Sequence, residues 1–242
     1  MTMLSTSSVQ KPFSVPTELC NITDALSLGS VTQAVDKLKE RLGVSESIEV
    51  KESKTPYEYC SSSSGQFPWV KERSHITVNL SSLSSCTPGE REFILLHELR
   101  HIKNRDSRTG FYVKFSLLPE LLAGYALVVR FTSTASPFIQ LAGMGLAWLA
   151  TRVTRSIFEQ FQEMRADKEA FIACSNEGKL GAMTFFKRMD KEEKEFSLAS
   201  RVVGYSLVFF RSGLEHPFIP VRLRYIQALA QQTGVSRESS FT

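Results

Sequence analysis

Forty largely apolar residues in the middle of the chain constrain the fold more than any other feature of the sequence. Residues 111–129 include only Lys114 and Glu120 as charged side chains, and residues 131–151 include none. Each segment has roughly the 20 residues that a helix needs to cross a bilayer. The sequence therefore predicts an apolar helical hairpin over residues 111–151, and its length favours a transmembrane one.

Basic residues flank this hairpin on both sides, and they predict its orientation. The positive-inside rule would place both outer ends, and the rest of the chain, in the cytoplasm, with lipid around residues 111–151. Pro119, Glu120 and the polar start of the second segment favour the alternative, a hairpin buried inside a cytosolic protein. The flanking residues are Lys103, Arg105, Arg108, Arg152 and Arg155.

The composition of the 242 residues limits the classes of protein to which the chain can belong. With 42% hydrophobic and 22% charged residues, the chain can form a folded core. The net charge of +4 is spread along the chain without a dense basic run, which argues against nucleic acid as a partner. The four cysteines form no C-x-x-C pair, so we expect reduced thiols and no cysteine-rich metal site. No apolar stretch of signal-peptide length follows Met1, and we expect no secretory leader.

The spacing of apolar residues predicts a mostly helical α+β fold with a small sheet. We expect residues 1–29 to be a flexible segment and residues 30–242 to form one domain. Strands are predicted at residues 48–53 and 75–80, and a loop or weak hairpin at 57–66. Thr87, Pro88 and Glu90 predict the start of a buried helix. The other predicted helices cover residues 30–42, 155–174, 180–210 and 220–232.

The buried helix carries an H-E-x-x-H motif, formed by His97-Glu98-Leu99-Arg100-His101. Residues four apart lie on one face of a helix, so the two imidazoles can bind one metal ion together. Glu98 projects about 100° away around the axis, which suits a base acting on metal-bound water. The motif predicts a zinc peptidase, which also needs a third protein ligand.

Glu163 is the candidate third ligand, because Asp167 follows one helical turn later. In an E-x-x-x-D pattern the glutamate can bind the metal while the aspartate accepts the second ring N–H of a ligand histidine. The pattern alone has low specificity, and Glu159 and Glu169 are rival carboxylates on the same predicted helix.

Several segments together resemble one known family. Residues 97–106 resemble the metal helix of the HtpX and CAAX prenyl protease family of gluzincins, and residues 163–167 resemble its third-ligand helix. His216-Pro217, with Arg222 six residues after the histidine, resembles its C-terminal element, and residues 76–83 resemble its strand before the metal helix. The resemblance covers residues 31–230. In such enzymes a transmembrane helical pair lies between the first two motifs, where this chain has its apolar residues.

The resemblance implies a zincin-like endopeptidase that holds one Zn²⁺ with His97, His101 and Glu163 and cleaves protein or peptide substrates at the cytoplasmic face of a membrane. Glu98 would be the general base. Asp167 would orient a ligand histidine.

The resemblance also implies roles outside the metal ligands. His216 is the candidate donor to the oxyanion, and Arg222 would orient nearby groups or form a structural ion pair. A substrate could add as a strand beside Ile76, Val78 and Leu80.

The sequence departs from the family at Arg100, where a small residue is usual, and it carries no signal for an oligomeric state. Two other functions stay open: a membrane-associated protein that retains zinc without cleaving anything, and a soluble cytosolic metalloprotease. The intact Glu98 argues against the first of these.

Overall fold

The computed structural model describes residues 26–54, 59–63, 73–131, 137–195 and 219–235. The predictions for His216, Pro217 and the N-terminal 25 residues lie outside these ranges. Within them the chain is mostly helical with one small sheet, which confirms the predicted fold class. The elements are α1 (Leu28–Leu42), β1 (Ile48–Glu52), β2 (Cys60–Ser63), β3 (Ser74–Val78), α2 (Leu80–Ser84), α3 (Pro88–Asn104), α4 (Asp106–Phe131), α5 (Pro137–Ala173), α6 (Asn176–Glu195) and α7 (Ile219–Gln232).

The first helix begins earlier than its apolar pattern predicts. Ser27, not Ser30, is the N-cap, and the side chains of the two serines cap each other's backbone N–H in a reciprocal capping box. Gly43 ends the helix with a φ of 64°, the left-handed conformation that favours glycine. The buried face of α1 carries the expected residues: Val31, Ala34, Val35, Leu38 and Leu42.

The sheet has the order β1-β3-β2, with β1 parallel and β2 antiparallel to β3. The prediction that a substrate adds beside β3 is therefore wrong, because β3 is paired on both sides. Ile76 and Val78 are also fully buried in the core. Leu80 is not in the strand, since Asn79 accepts a hydrogen bond from the backbone of Ser82 and starts α2 at Leu80.

The metal-motif helix α3 begins as its sequence predicts. Thr87 accepts from the backbone of Glu90, the Glu90 carboxylate accepts from the backbone of Thr87, and Pro88 occupies the first turn. The apolar residues of α3 are buried against α5 and α6. A Cβ added at Gly181 on α6 would lie 2.2 Å from the backbone of Gly89, so glycine allows these two helices to approach closely.

The apolar middle of the chain forms two helices, α4 and α5, that pack side by side. A Cβ added at Gly143 would lie 2.6 Å from the side chain of Val128, which shows how closely they approach. The second predicted segment and the predicted helix at residues 155–174 are one continuous helix, α5.

No helix in the described part of the chain is long and apolar enough to cross a membrane. The transmembrane part of the hairpin prediction is thus unsupported. The alternative of a hairpin buried in the core does not fit either, because Phe138 is 78% exposed and Leu146 is 68% exposed.

Candidate metal centre

Two helices bring three potential metal ligands together. His97 and His101 project from one face of α3, and Glu163 projects towards them from α5. The two Nε2 atoms are 3.0 Å apart. Glu163 places Oε1 3.3 Å from Nε2 of His101 and Oε2 3.5 Å from Nε2 of His97. The predicted ligands therefore meet at one point.

These separations fit a zinc ion. Zinc binds histidine nitrogen and carboxylate oxygen at about 2.0–2.2 Å in tetrahedral geometry, which separates neighbouring ligand atoms by ~3.4 Å. Two neutral imidazoles and one carboxylate are also the donor set of a catalytic site that keeps its fourth position for water. The residues present thus suit the metal that the sequence predicts.

Asp167 lies behind His97 and is itself held by Arg222. Its Oδ1 is 3.0 Å from Nδ1 of His97, on the side of the ring opposite the candidate metal position. Arg222 on α7 donates to both carboxylate oxygens, and its Nη1 also lies 3.4 Å from Oε2 of Glu163. Asp167 and Arg222 thus stand where the orienting roles require them, and Arg222 forms an ion pair with Asp167.

His101 has its own carboxylate partner, which the sequence analysis did not identify. Its Nδ1 lies 2.8 Å from Oδ2 of Asp106, the first residue of α4. Arg165 contacts the other oxygen of Asp106. The available signal was the spacing, because Asp106 lies five residues after His101 where α3 ends. That signal is weak without knowledge of the turn between the helices.

The carboxylates raise the pKa of both histidines. Burial alone would lower the pKa of His97, but Asp167 and Glu163 outweigh it and raise the pKa to about 9. In the same way burial would lower the pKa of His101, whereas Asp106 and Glu163 raise it to about 10. Burial would raise the pKa of Asp167, and the charge of Arg222 reverses this and lowers it. The carboxylates around His97 and His101 therefore stabilise a positive charge at the ligand cluster.

The rival carboxylates have other partners. Glu169 lies 3.6 Å from Nη1 of Arg100 and accepts from Asn104 over 3.2 Å. Glu159 accepts from Arg155 over 2.8 Å. Of the three candidates, Glu163 is the one that belongs to the cluster with both histidines. The contact with Glu169 also shows how the fold accommodates Arg100 where the family usually has a small residue. The Arg100 side chain pairs with α5 and does not line the cavity at the ligands.

The ligand cluster opens into a cavity of about 730 Å³. Glu98 lies on its wall beside His97 and His101, as a base for water would need to. Apolar side chains form part of the cavity lining, and Tyr59 with residues Cys60, Ser61 and Ser62 of β2 also line it. The apolar lining residues are Phe93, Ile94, Phe111, Phe185, Met189 and Ile219.

The comparisons with known proteins point to one family. The family model described as peptidase family M48 matches residues 34–230, which include α3, the hairpin, the third-ligand helix and most of α7. No curated protein and no solved structure matches the chain.

Proposed function

The chain belongs to peptidase family M48, and from this premise we propose that it is a zinc-dependent endopeptidase of the HtpX and CAAX prenyl protease type. The observation that carries the proposal is the convergence of His97, His101 and Glu163 on one point in an open cavity, with Glu98 on the wall. A site that served only structure would have no use for this carboxylate or for the cavity.

Each residue of the site would have a separate role in peptide hydrolysis. His97, His101 and Glu163 would hold Zn²⁺, which when bound lowers the pKa of a coordinated water and polarises the scissile carbonyl. Glu98 takes a proton from the attacking water and passes it to the leaving amine. Asp167 keeps His97 in the tautomer that leaves Nε2 free to bind, and Arg222 holds Asp167 in place. His216 remains the candidate donor to the oxyanion, from the resemblance alone.

The outer edge of β2 is the place where a substrate strand would bind. Asn79 donates to the carbonyl of Tyr59, so the alternation of an antiparallel ladder turns the backbone N–H and C=O groups of Ser62 away from β3. These groups face the side of the sheet where Tyr59, Cys60, Ser61 and Ser62 line the cavity. A peptide pairing there would be recognised through hydrogen bonds to its backbone, and the small serine side chains of β2 would not obstruct it.

We also propose that the hairpin rests on a membrane with the catalytic site in the cytoplasm. Several large apolar side chains are exposed on the described parts of α4 and α5, and exposed apolar patches mark interaction sites. Basic residues near the base of the hairpin suit anionic lipid headgroups. The apolar residues include Leu122, Leu127, Phe138, Leu141, Leu146 and Phe161. Flotation with vesicles of neutral and anionic lipid tests this. Protein left at the bottom of both gradients would contradict it.

The substitution Glu98→Gln tests the peptidase. It keeps the shape of the side chain and removes its basicity, so zinc content should stay near one per chain. Casein hydrolysis should fall by about 10²–10⁴-fold, the usual contribution of a general base. If Glu98→Gln cleaves as fast as the parent, Glu98 is not the general base. If the zinc-loaded parent cleaves no casein, the alternative of a zinc-containing protein without peptidase activity is favoured.

A further inference from the structure

Asp106 is fixed from several directions at the junction of three helices. Its side chain is buried, with one carboxylate oxygen 2.8 Å from Nδ1 of His101 and the other in contact with Arg165 on α5. Gln162, also on α5, donates to its backbone carbonyl over 3.3 Å. Arg105, with a φ of 54°, makes the turn that ends α3 and places Asp106 at the start of α4. A surface carboxylate with a chance neighbour would not have this set of contacts.

The two nitrogens of His101 face different groups. Nε2 points to Glu163 and His97, where the metal would lie, and Nδ1 points to Asp106. A histidine that binds zinc through Nε2 must carry its proton on Nδ1, and a carboxylate that accepts this proton fixes both the tautomer and the ring orientation. Asp106 occupies this position for His101, and Asp167 lies 3.0 Å from Nδ1 of His97.

We propose that Asp106 is the positioning residue for the metal ligand His101 and that Arg165 holds Asp106 in the orientation this requires. The proposal rests on the proposed function, because it assigns the hydrogen-bond partner of a ligand in the same site. It also means that the two ligand histidines are held in place by different parts of the fold. His97 is held by way of α7, through Asp167 and Arg222, whereas His101 is held by way of the base of the hairpin, through Asp106 and Arg165.

Zinc affinity of the purified full chain, measured by competition with a chromophoric chelator, tests this role without relying on peptidase activity. Asp106→Asn keeps the size of the side chain and removes its charge, and it should weaken zinc binding about 10–100-fold, as losses of such partners usually do. Arg165→Gln leaves Asp106 in place and should weaken binding in the same direction by less. Asp36→Asn and Lys168→Gln are the matched controls, because they remove the same charges from exposed positions on α1 and α5.

Thermal unfolding of the metal-free variants separates positioning from stability. A positioning role predicts weaker zinc binding even where the metal-free unfolding temperature equals that of the parent. Zinc affinities of both variants within twofold of their controls would overturn the proposal, while Glu98→Gln would still test the peptidase by itself. If Asp106→Asn does not fold, Arg165→Gln decides: unchanged zinc affinity in that variant overturns the proposal. A parent protein that binds no zinc would overturn this role and the proposed function together.

Discussion

Arg222 binds the carboxylate of Asp167 in a bidentate manner, with Nε donating to Oδ2 over 2.7 Å and Nη2 donating to Oδ1 over 2.6 Å. Both residues are buried, and the guanidinium also lies over the ring of Phe186 at 4.8 Å. This pair ties α7 to α5 at the point where Asp167 contacts His97. The last helix of the chain therefore contributes to the metal centre without supplying a ligand.

Arg222→Gln should destabilise the fold strongly. The substitution removes the guanidinium that donates to both oxygens of the fully buried Asp167 carboxylate, and loss of one partner of a buried pair costs about 3–5 kcal/mol. Urea denaturation of the metal-free protein measures this change in the free energy of unfolding. Arg224→Gln, an exposed arginine on the same helix, should change it by less than about 0.5 kcal/mol. Equal stabilities of the two variants would show that the pair does not stabilise the fold.

Glu163→Ala should remove most of the zinc. It deletes the only carboxylate in the described cluster with both histidines, and two imidazoles cannot complete a stable zinc site. Metal content after dialysis measures this. Glu169→Ala is the control, because its carboxylate pairs with Arg100 and Asn104, so that variant should retain zinc. Retained zinc in Glu163→Ala would pass the ligand role to another carboxylate, with Glu159 the next to test.

Ser62→Pro should weaken substrate binding while zinc content stays unchanged. Proline removes the backbone N–H that Ser62 turns towards the cavity side, and an edge strand tolerates proline on its outer side. We expect a higher KM for peptide substrates, whereas Ser62→Ala keeps the N–H and should behave like the parent. The kinetics of the two variants on one fluorogenic peptide give the comparison. An unchanged KM in Ser62→Pro would exclude pairing at this position of β2.

His216→Ala should lower kcat more than it raises KM, since an oxyanion donor acts mainly in the transition state. One such donor contributes about 2.7–4 kcal/mol in subtilisin, which corresponds to a loss of ~10²–10³-fold. Steady-state kinetics together with zinc content measure this. A normal kcat in a folded, zinc-loaded variant would leave His216 as part of a structural turn.

Interactions between residues close together in the chain determined most of the features that could be predicted from the sequence. The spacing of His97 and His101 fixes their shared face, because a helix repeats every 3.6 residues whatever surrounds it. The start of α3 followed from Thr87, Pro88 and Glu90, whose capping contacts are made within one turn. The overlap of three motifs pointed to the peptidase family before any geometry was available.

The tertiary structure decided the features that depend on residues far apart in the chain. Asp106 meets Arg165 across 59 positions, and the pairing of β3 on both sides depends on segments whose register no local pattern sets. The choice of Glu163 over Glu159 and Glu169 also required the fold, since all three lie on one helix and only packing against α3 selects which carboxylate faces the histidines. Helix and cap signals act over a few residues, whereas orientation and exposure arise when distant elements pack.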